Sequence, residues 1–109
     1  ARRSQGQAME KVLHHEIDLA RRRLLTEIQR AYTSFRVAEA ALPALAAAAT
    51  AAQKNYEQAS ARFRAGLSTS VELADAEALR TDAEIQLAVG RFETSRARAG
   101  FNRSISLGL

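Results

Sequence analysis

Histidines and carboxylates at helical spacing are where metal or acid–base chemistry would be sought first, and this chain of 109 residues offers few of them. His14 and His15 are adjacent, so on a helix they diverge by ~100° and do not grip one ion together. Glu10 lies one turn before His14 and supplies half a metal site at most, while the Glu-x-x-His spacing of di-iron bundles is missing. The carboxylates Glu72, Asp75, Glu77, Asp82 and Glu84 crowd the first turns of an expected helix. The helix dipole favours negative charge there, so capping and solvation account for them without general acid–base work. The chain has no cysteine, which excludes disulfide scaffolds and thiolate-held zinc or iron–sulfur clusters. Neither a phosphate-binding glycine loop nor a nucleophile motif is found. The expectation is a protein that is not an enzyme and needs no cofactor or metal.

The formal net charge is +4, and arginine supplies all the positive side chains except Lys11 and Lys54. The dense basic clusters are Arg2-Arg3, Arg21-Arg22-Arg23 and the looser set Arg91, Arg96, Arg98 and Arg103. A single-strand nucleic-acid groove would interleave such arginines with stacking aromatics. Here Tyr32, Phe35, Tyr56, Phe63 and Phe92 fall at core-like positions instead, so no nucleic-acid partner is expected. No apolar run approaches the ~20 residues of a membrane-spanning helix. The start, Ala-Arg-Arg-Ser-Gln, has neither an initiator Met nor the apolar centre of a signal peptide, as expected of a mature protein or a fragment. An amphipathic helix lying on a membrane ranks below protein–protein assembly, because the apolar stripe is narrow and rich in alanine.

What must position these groups is long helix. Leu13, Ile17, Ala20, Leu24, Ile28, Ala31, Phe35, Ala38, Leu42, Leu45, Ala49, Ala52, Tyr56, Ala59 and Phe63 follow one another at spacings of three or four, a heptad-like seam with one stutter around Leu24. The spacing predicts a helix over 8–64, about 85 Å long. Pro43 removes one backbone hydrogen bond and crowds the carbonyl of Glu39, so a kink near 39–43 in a continuous helix is expected. Gly66 suits a left-handed helix end, and Ser68, Thr69 or Ser70 suits the next cap, with Glu72 as third helical residue if Thr69 is the cap. A tip over 65–69 and a second helix over 70–103 follow. One face of that helix holds Leu73, Ala76, Ala83, Leu87, Ala97 and Phe101, another Ala74, Ala78, Ile85, Val89 and Phe92. Folding about Leu67 makes the helices antiparallel and sets Phe63 near Val71, Tyr56 near Ala78, Ala49 near Ile85 and Leu42 near Phe92. The alternation in Ser104–Leu109 reads as the start of a strand. The fold class is therefore all-α: one long antiparallel, coiled-coil-like helical hairpin. Its apolar faces exceed what two helices cover, so the chain is expected to self-associate by burying Leu24, Ile28, Phe35, Leu42 and Phe92.

Ala31-Tyr32, then Tyr56, then the run from Arg62-Phe63-Arg64-Ala65-Gly66-Leu67 through Ser68-Thr69-Ser70-Val71-Glu72-Leu73-Ala74-Asp75-Ala76-Glu77, then Ala83, Leu87, Arg91-Phe92, Ala97-Arg98 and Ser106-Leu107-Gly108 resemble the helical repeat of TolC-type outer-membrane efflux proteins. The resemblance spans nearly the whole chain and is most specific over 56–101. It implies one repeat of a homotrimeric channel with two such repeats per chain, whose helices build a periplasmic tunnel beneath an outer-membrane β-barrel. Such channels conduct drugs, metal ions or secreted proteins with a periplasmic adaptor and an inner-membrane pump. The barrel strands and the second repeat are not in this sequence, so any membrane contact would come from the parent's barrel.

Carried onto this chain, the resemblance makes Arg64, Ala65, Gly66, Leu67, Ser68, Thr69 and Ser70 the tip that meets the adaptor. It makes Arg62 and Asp75 members of a polar network at the tunnel entrance. Leu24, Ile28, Phe35, Leu42, Tyr56, Phe63, Leu73, Leu87 and Phe92 form the expected assembly seam. Two other readings are the α-hairpin of a periplasmic adaptor, whose lipoyl-like flanks are not seen here, and a stand-alone helical bundle that binds nucleic acid through its arginines.

Overall fold

Alanine and leucine at three- and four-residue spacing favour helix and a shared narrow seam, and the chain builds little else. The computed structural model describes residues 2–108 as two helices, α1 at Arg2–Arg64 and α2 at Ser70–Gly108, folded against each other as a hairpin. Its extents of 96 × 21 × 14 Å are those of a rod two helices wide and one helix thick.

The seam is periodic on both sides. On α1 the partly buried positions run Leu24, Ile28, Ala31, Phe35, Ala38, Leu42, Leu45, Ala49, Ala52, Tyr56 and Ala59. On α2 the covered positions run Leu73, Ala76, Arg80, Ala83, Leu87, Gly90, Thr94, Ala97, Phe101 and Ser104. Among the described residues only Ala76 and Thr94 are buried, because two helices side by side enclose no interior. Thr94 tolerates burial because its Oγ1 donates to the Gly90 carbonyl at 2.9 Å. Gly90 has a packing reason: a Cβ there would lie 2.5 Å from Leu45 Cδ1, so glycine lets Leu45 close onto α2. Nearer the open end, Phe101 packs at 5.4 Å from Tyr32 and stacks parallel to Phe35 at 6.4 Å between ring centres.

α1 is continuous through Pro43, which sits exposed between the seam positions Leu42 and Leu45. Packing on the far side of the helix from the proline is uninterrupted, which offsets the lost backbone bond. α1 also contains a stretch that is, by length and composition, apolar enough to cross a membrane, where no such run was expected. The most apolar part of the helix is the alanine-rich run between Arg36 and Lys54, where Glu39 is the one charged residue. Its hydropathy comes largely from alanine, and one side of it packs on α2 through Leu42, Leu45, Ala49 and Ala52.

Two expectations need correction. The strand expected from Ser104 is helix as far as Gly108, with Leu109 outside the described residues. Among the described residues there is no second strand to pair with it, and the alternating serines satisfy themselves within the helix. Ser104 Oγ donates to the Gly100 carbonyl and Ser106 Oγ to the Asn102 carbonyl, each at 3.0 Å. The helix end also has something to pack on, since Gly108 lies against Ile28 and Leu24. The second correction concerns faces. Folding about Leu67 sets the right levels, but Val71, Ile85 and Phe92 point away from α1 and are exposed. At the level of Leu42 the contact is made by Gly90. Because α2 is level with Leu24 and Ile28 at its end, the seam residues Leu13 and Ile17 of α1 lie beyond it and are exposed.

Gly90 and Gly100 of α2 should therefore respond oppositely. Gly100→Ala, where a Cβ meets nothing within 4 Å, is expected to stabilise by roughly 0.5–1 kcal/mol through helix propensity. Gly90→Leu forces bulk into Leu45 and should cost about 1–3 kcal/mol. Thermal melts followed by circular dichroism check both.

The interhelical tip as candidate docking site

The turn between the helices is built by backbone rather than by bulk. Gly66 has φ +74°, the left-handed conformation that ends a helix and that a side chain would strain. Around it the Leu67 N–H donates to the Arg62 carbonyl at 2.8 Å and the Gly66 N–H to the Phe63 carbonyl at 3.0 Å. This pair is the Schellman arrangement, which satisfies two carbonyls at the end of α1. Arg62 and Arg64 stand in that last turn, where positive charge is favoured by the dipole.

α2 starts with equal definition. Of the three hydroxyl residues that suit a cap, Thr69 serves: the Glu72 N–H donates to Thr69 Oγ1 at 3.2 Å, and the Leu73 N–H to the Thr69 carbonyl at 3.2 Å. Ser68 is half-buried, and its hydroxyl is shielded with no hydrogen-bond partner. Leu67, between the two caps, is 71% exposed. A large apolar side chain thus projects from the end of a rigid rod.

The structure brings together some of the residues singled out and separates others. Arg64, Ala65, Gly66, Leu67, Thr69 and Ser70 all lie exposed at the tip. Arg62 and Asp75 flank it, also exposed, but the ion pair among the described residues is Arg36 with Glu39 at 3.2 Å. Of the expected assembly seam, Leu24, Ile28, Phe35, Leu42, Tyr56, Leu73 and Leu87 face the partner helix of the same hairpin. Phe63 and Phe92 are exposed.

Sequence reasoning missed Arg80. Its guanidinium lies 4.0 Å from the centre of the Tyr56 ring, inside the seam, and its Nε is shielded with no partner. Arg98 sits similarly over Phe35, at 5.3 Å. A count of apolar residues passes over both. Arg80 was nonetheless detectable, since it is four residues from Ala76 and three from Ala83, where the spacing demands an inward side chain.

Among the described residues no group of three or more His, Asp or Glu side chains is placed to hold a metal ion. The rod, its seam and its capped tip are what this chain brings to function. The family model for outer membrane efflux proteins matches residues 1–105. The chain belongs to the outer membrane efflux protein family. No curated protein and no solved structure matches it. In this efflux-family hairpin the run Arg62–Glu77 holds the Schellman turn and the threonine cap, so the residues that carried the resemblance include those that fix the tip.

Removing the cap tests how far the tip geometry depends on it. Thr69→Ala should cost about 1 kcal/mol, and Thr69→Ser most of an order less, measured by urea denaturation.

Proposed function

We propose that this hairpin is one stave of the periplasmic α-helical tunnel of a TolC-like outer-membrane channel for efflux or type I secretion. Family membership makes it a segment of an outer-membrane efflux channel. The finer reading adds that the parent is a homotrimer, that the hairpin stands in the periplasm, and that its tip docks a periplasmic adaptor linked to an inner-membrane pump. The observation that carries it is the exposed Leu67 held between two caps at the end of a 96 Å rod.

The physical case for docking is economy of order. Exposed apolar side chains bind best where their backbone is already fixed, because little conformational entropy is then lost on association. Gly66 and Thr69 fix that backbone through hydrogen bonds within the turn, leaving Leu67 free to enter an apolar site on the adaptor. Arg62 and Asp75, one on each helix beside the tip, are placed to exchange ion pairs with neighbouring staves at the tunnel entrance.

In the full-length channel, Leu67→Asp is expected to abolish adaptor crosslinking while leaving helicity unchanged, since Leu67 lies outside both helices. Gly66→Pro should act likewise, because proline can take neither the positive φ nor the N–H donor role of this position. Unchanged crosslinking in both variants would remove the docking role from the tip.

A further inference from the structure

Charge is not spread evenly along the rod. Residues in contact across the seam are nearly equidistant from Leu67, as for Tyr56 with Arg80 and Leu45 with Gly90, so 30–44 of α1 and 91–105 of α2 lie level with each other. This band holds Arg30, Arg36, Arg91, Arg96, Arg98 and Arg103 against Glu39 and Glu93, which amounts to the whole net charge of +4; the rest of the chain is balanced. The ion pair among the described residues joins Arg36 to Glu39, which leaves the other arginines of the band without a carboxylate partner.

The same band holds the aromatic cluster. Phe35 and Phe101 stack parallel across the seam, and Tyr32 tilts against Phe101 while remaining 48% exposed. Arg98 lies over Phe35. The side on which they gather follows from the seam. A shallow groove on one broad side of the rod is lined by Ala46 and Gln53 of α1 with Glu84 and Arg91 of α2, each of which follows an inward residue by one position. Tyr32, Arg36 and Arg98 follow Ala31, Phe35 and Ala97 in the same way and so share that side. Arg96 instead precedes Ala97 and lines a separate groove with Ser34 and Glu93 on the other side.

We propose that Tyr32, Phe35, Phe101 and Arg98 form a binding site for a small aromatic anion, its ring laid against Tyr32 and its carboxylate or sulfonate on the Arg98 guanidinium. An arginine stacked on a ring keeps its N–H edge free for a planar carboxylate, and aromatics already packed together lose little freedom on binding. Arg36 is occupied by Glu39, and Arg91, two turns nearer the tip on the same side, adds positive field. A nucleic-acid strand would need a platform for each successive base. The band offers one platform, because Tyr56 lies under Arg80 and Phe92 points away from α1. The site belongs to the hairpin itself; its use rests on the tunnel-stave reading, in which it selects anionic aromatic cargo at the wall.

The test titrates this chain with naphthoate, followed by calorimetry and by the Nε–H resonance of Arg98, with circular dichroism to verify helix in each variant. The expected result is millimolar or tighter binding, none of the cation naphthylmethylammonium, and a loss of about tenfold for Arg98→Gln. Arg96→Gln, which removes the same charge from the other side, should change little, and Tyr32→Phe should keep binding that Tyr32→Ala weakens. Equal losses in the two arginine variants would reduce the effect to net charge, and equal binding of the cation would reduce it to apolar adhesion; either overturns the proposal, as does a titration without heat or shift. Tighter binding of oligothymidylate that displaces naphthoate would overturn it in favour of a nucleic-acid groove. None of these outcomes touches the tunnel reading, which stands or falls on adaptor crosslinking.

Discussion

A hairpin one helix thick has one seam and no interior. Everything distinctive about this chain follows from that constraint. Two helices in contact cover a stripe on each, so most residues at three- and four-residue spacing are only partly covered, and only Ala76 and Thr94 are buried among the described residues. Small residues let the helices approach: Gly90 admits Leu45, and alanine recurs along both sides. Such a seam is long enough to hold a rod together but leaves a second apolar face on each helix. Isolated bulky residues on a surface need no explanation, whereas Ile85, Val89 and Phe92 gather on one side of one helix, each more than half exposed.

The tip solves a different problem. Four carbonyls at the end of one helix and four N–H groups at the start of the next need partners within a few residues. Gly66 and Thr69 supply the geometry by which backbone and hydroxyl meet those needs, which leaves the side chains of the turn free. Leu67 is consequently both fixed in place and open to solvent. Rigidity at the tip and exposure at the tip have the same cause.

Much of the fold was legible because the seam is written in apolar spacing. The positions from Leu24 to Ala59 read from the sequence are those that face α2, and the turn chemistry around Gly66 reads directly. The face of α2 was harder to read, because Arg80, Gly90 and Thr94 hold inward positions and none is a strong apolar marker. That helix instead shows apolar residues on both sides, and the sequence does not say which side belongs to α1. Phe92 illustrates the point: its level opposite Leu42 follows from counting, but its outward direction follows only from Thr94 and Gly90 taking the inner positions. The Ser104–Leu107 alternation misled for a local reason, since serine hydroxyls can bond one turn back and sit in a helix without cost to the pattern.

The central claim is that these hairpins stand side by side with their tips together, as staves of a tunnel. It is tested most directly by placing a spin label at Leu67→Cys in the assembled protein and measuring distances between labels by pulsed electron resonance. The account predicts separations far shorter than the 96 Å length of the rod. Separations near that length, as in tip-to-tail packing, would contradict it.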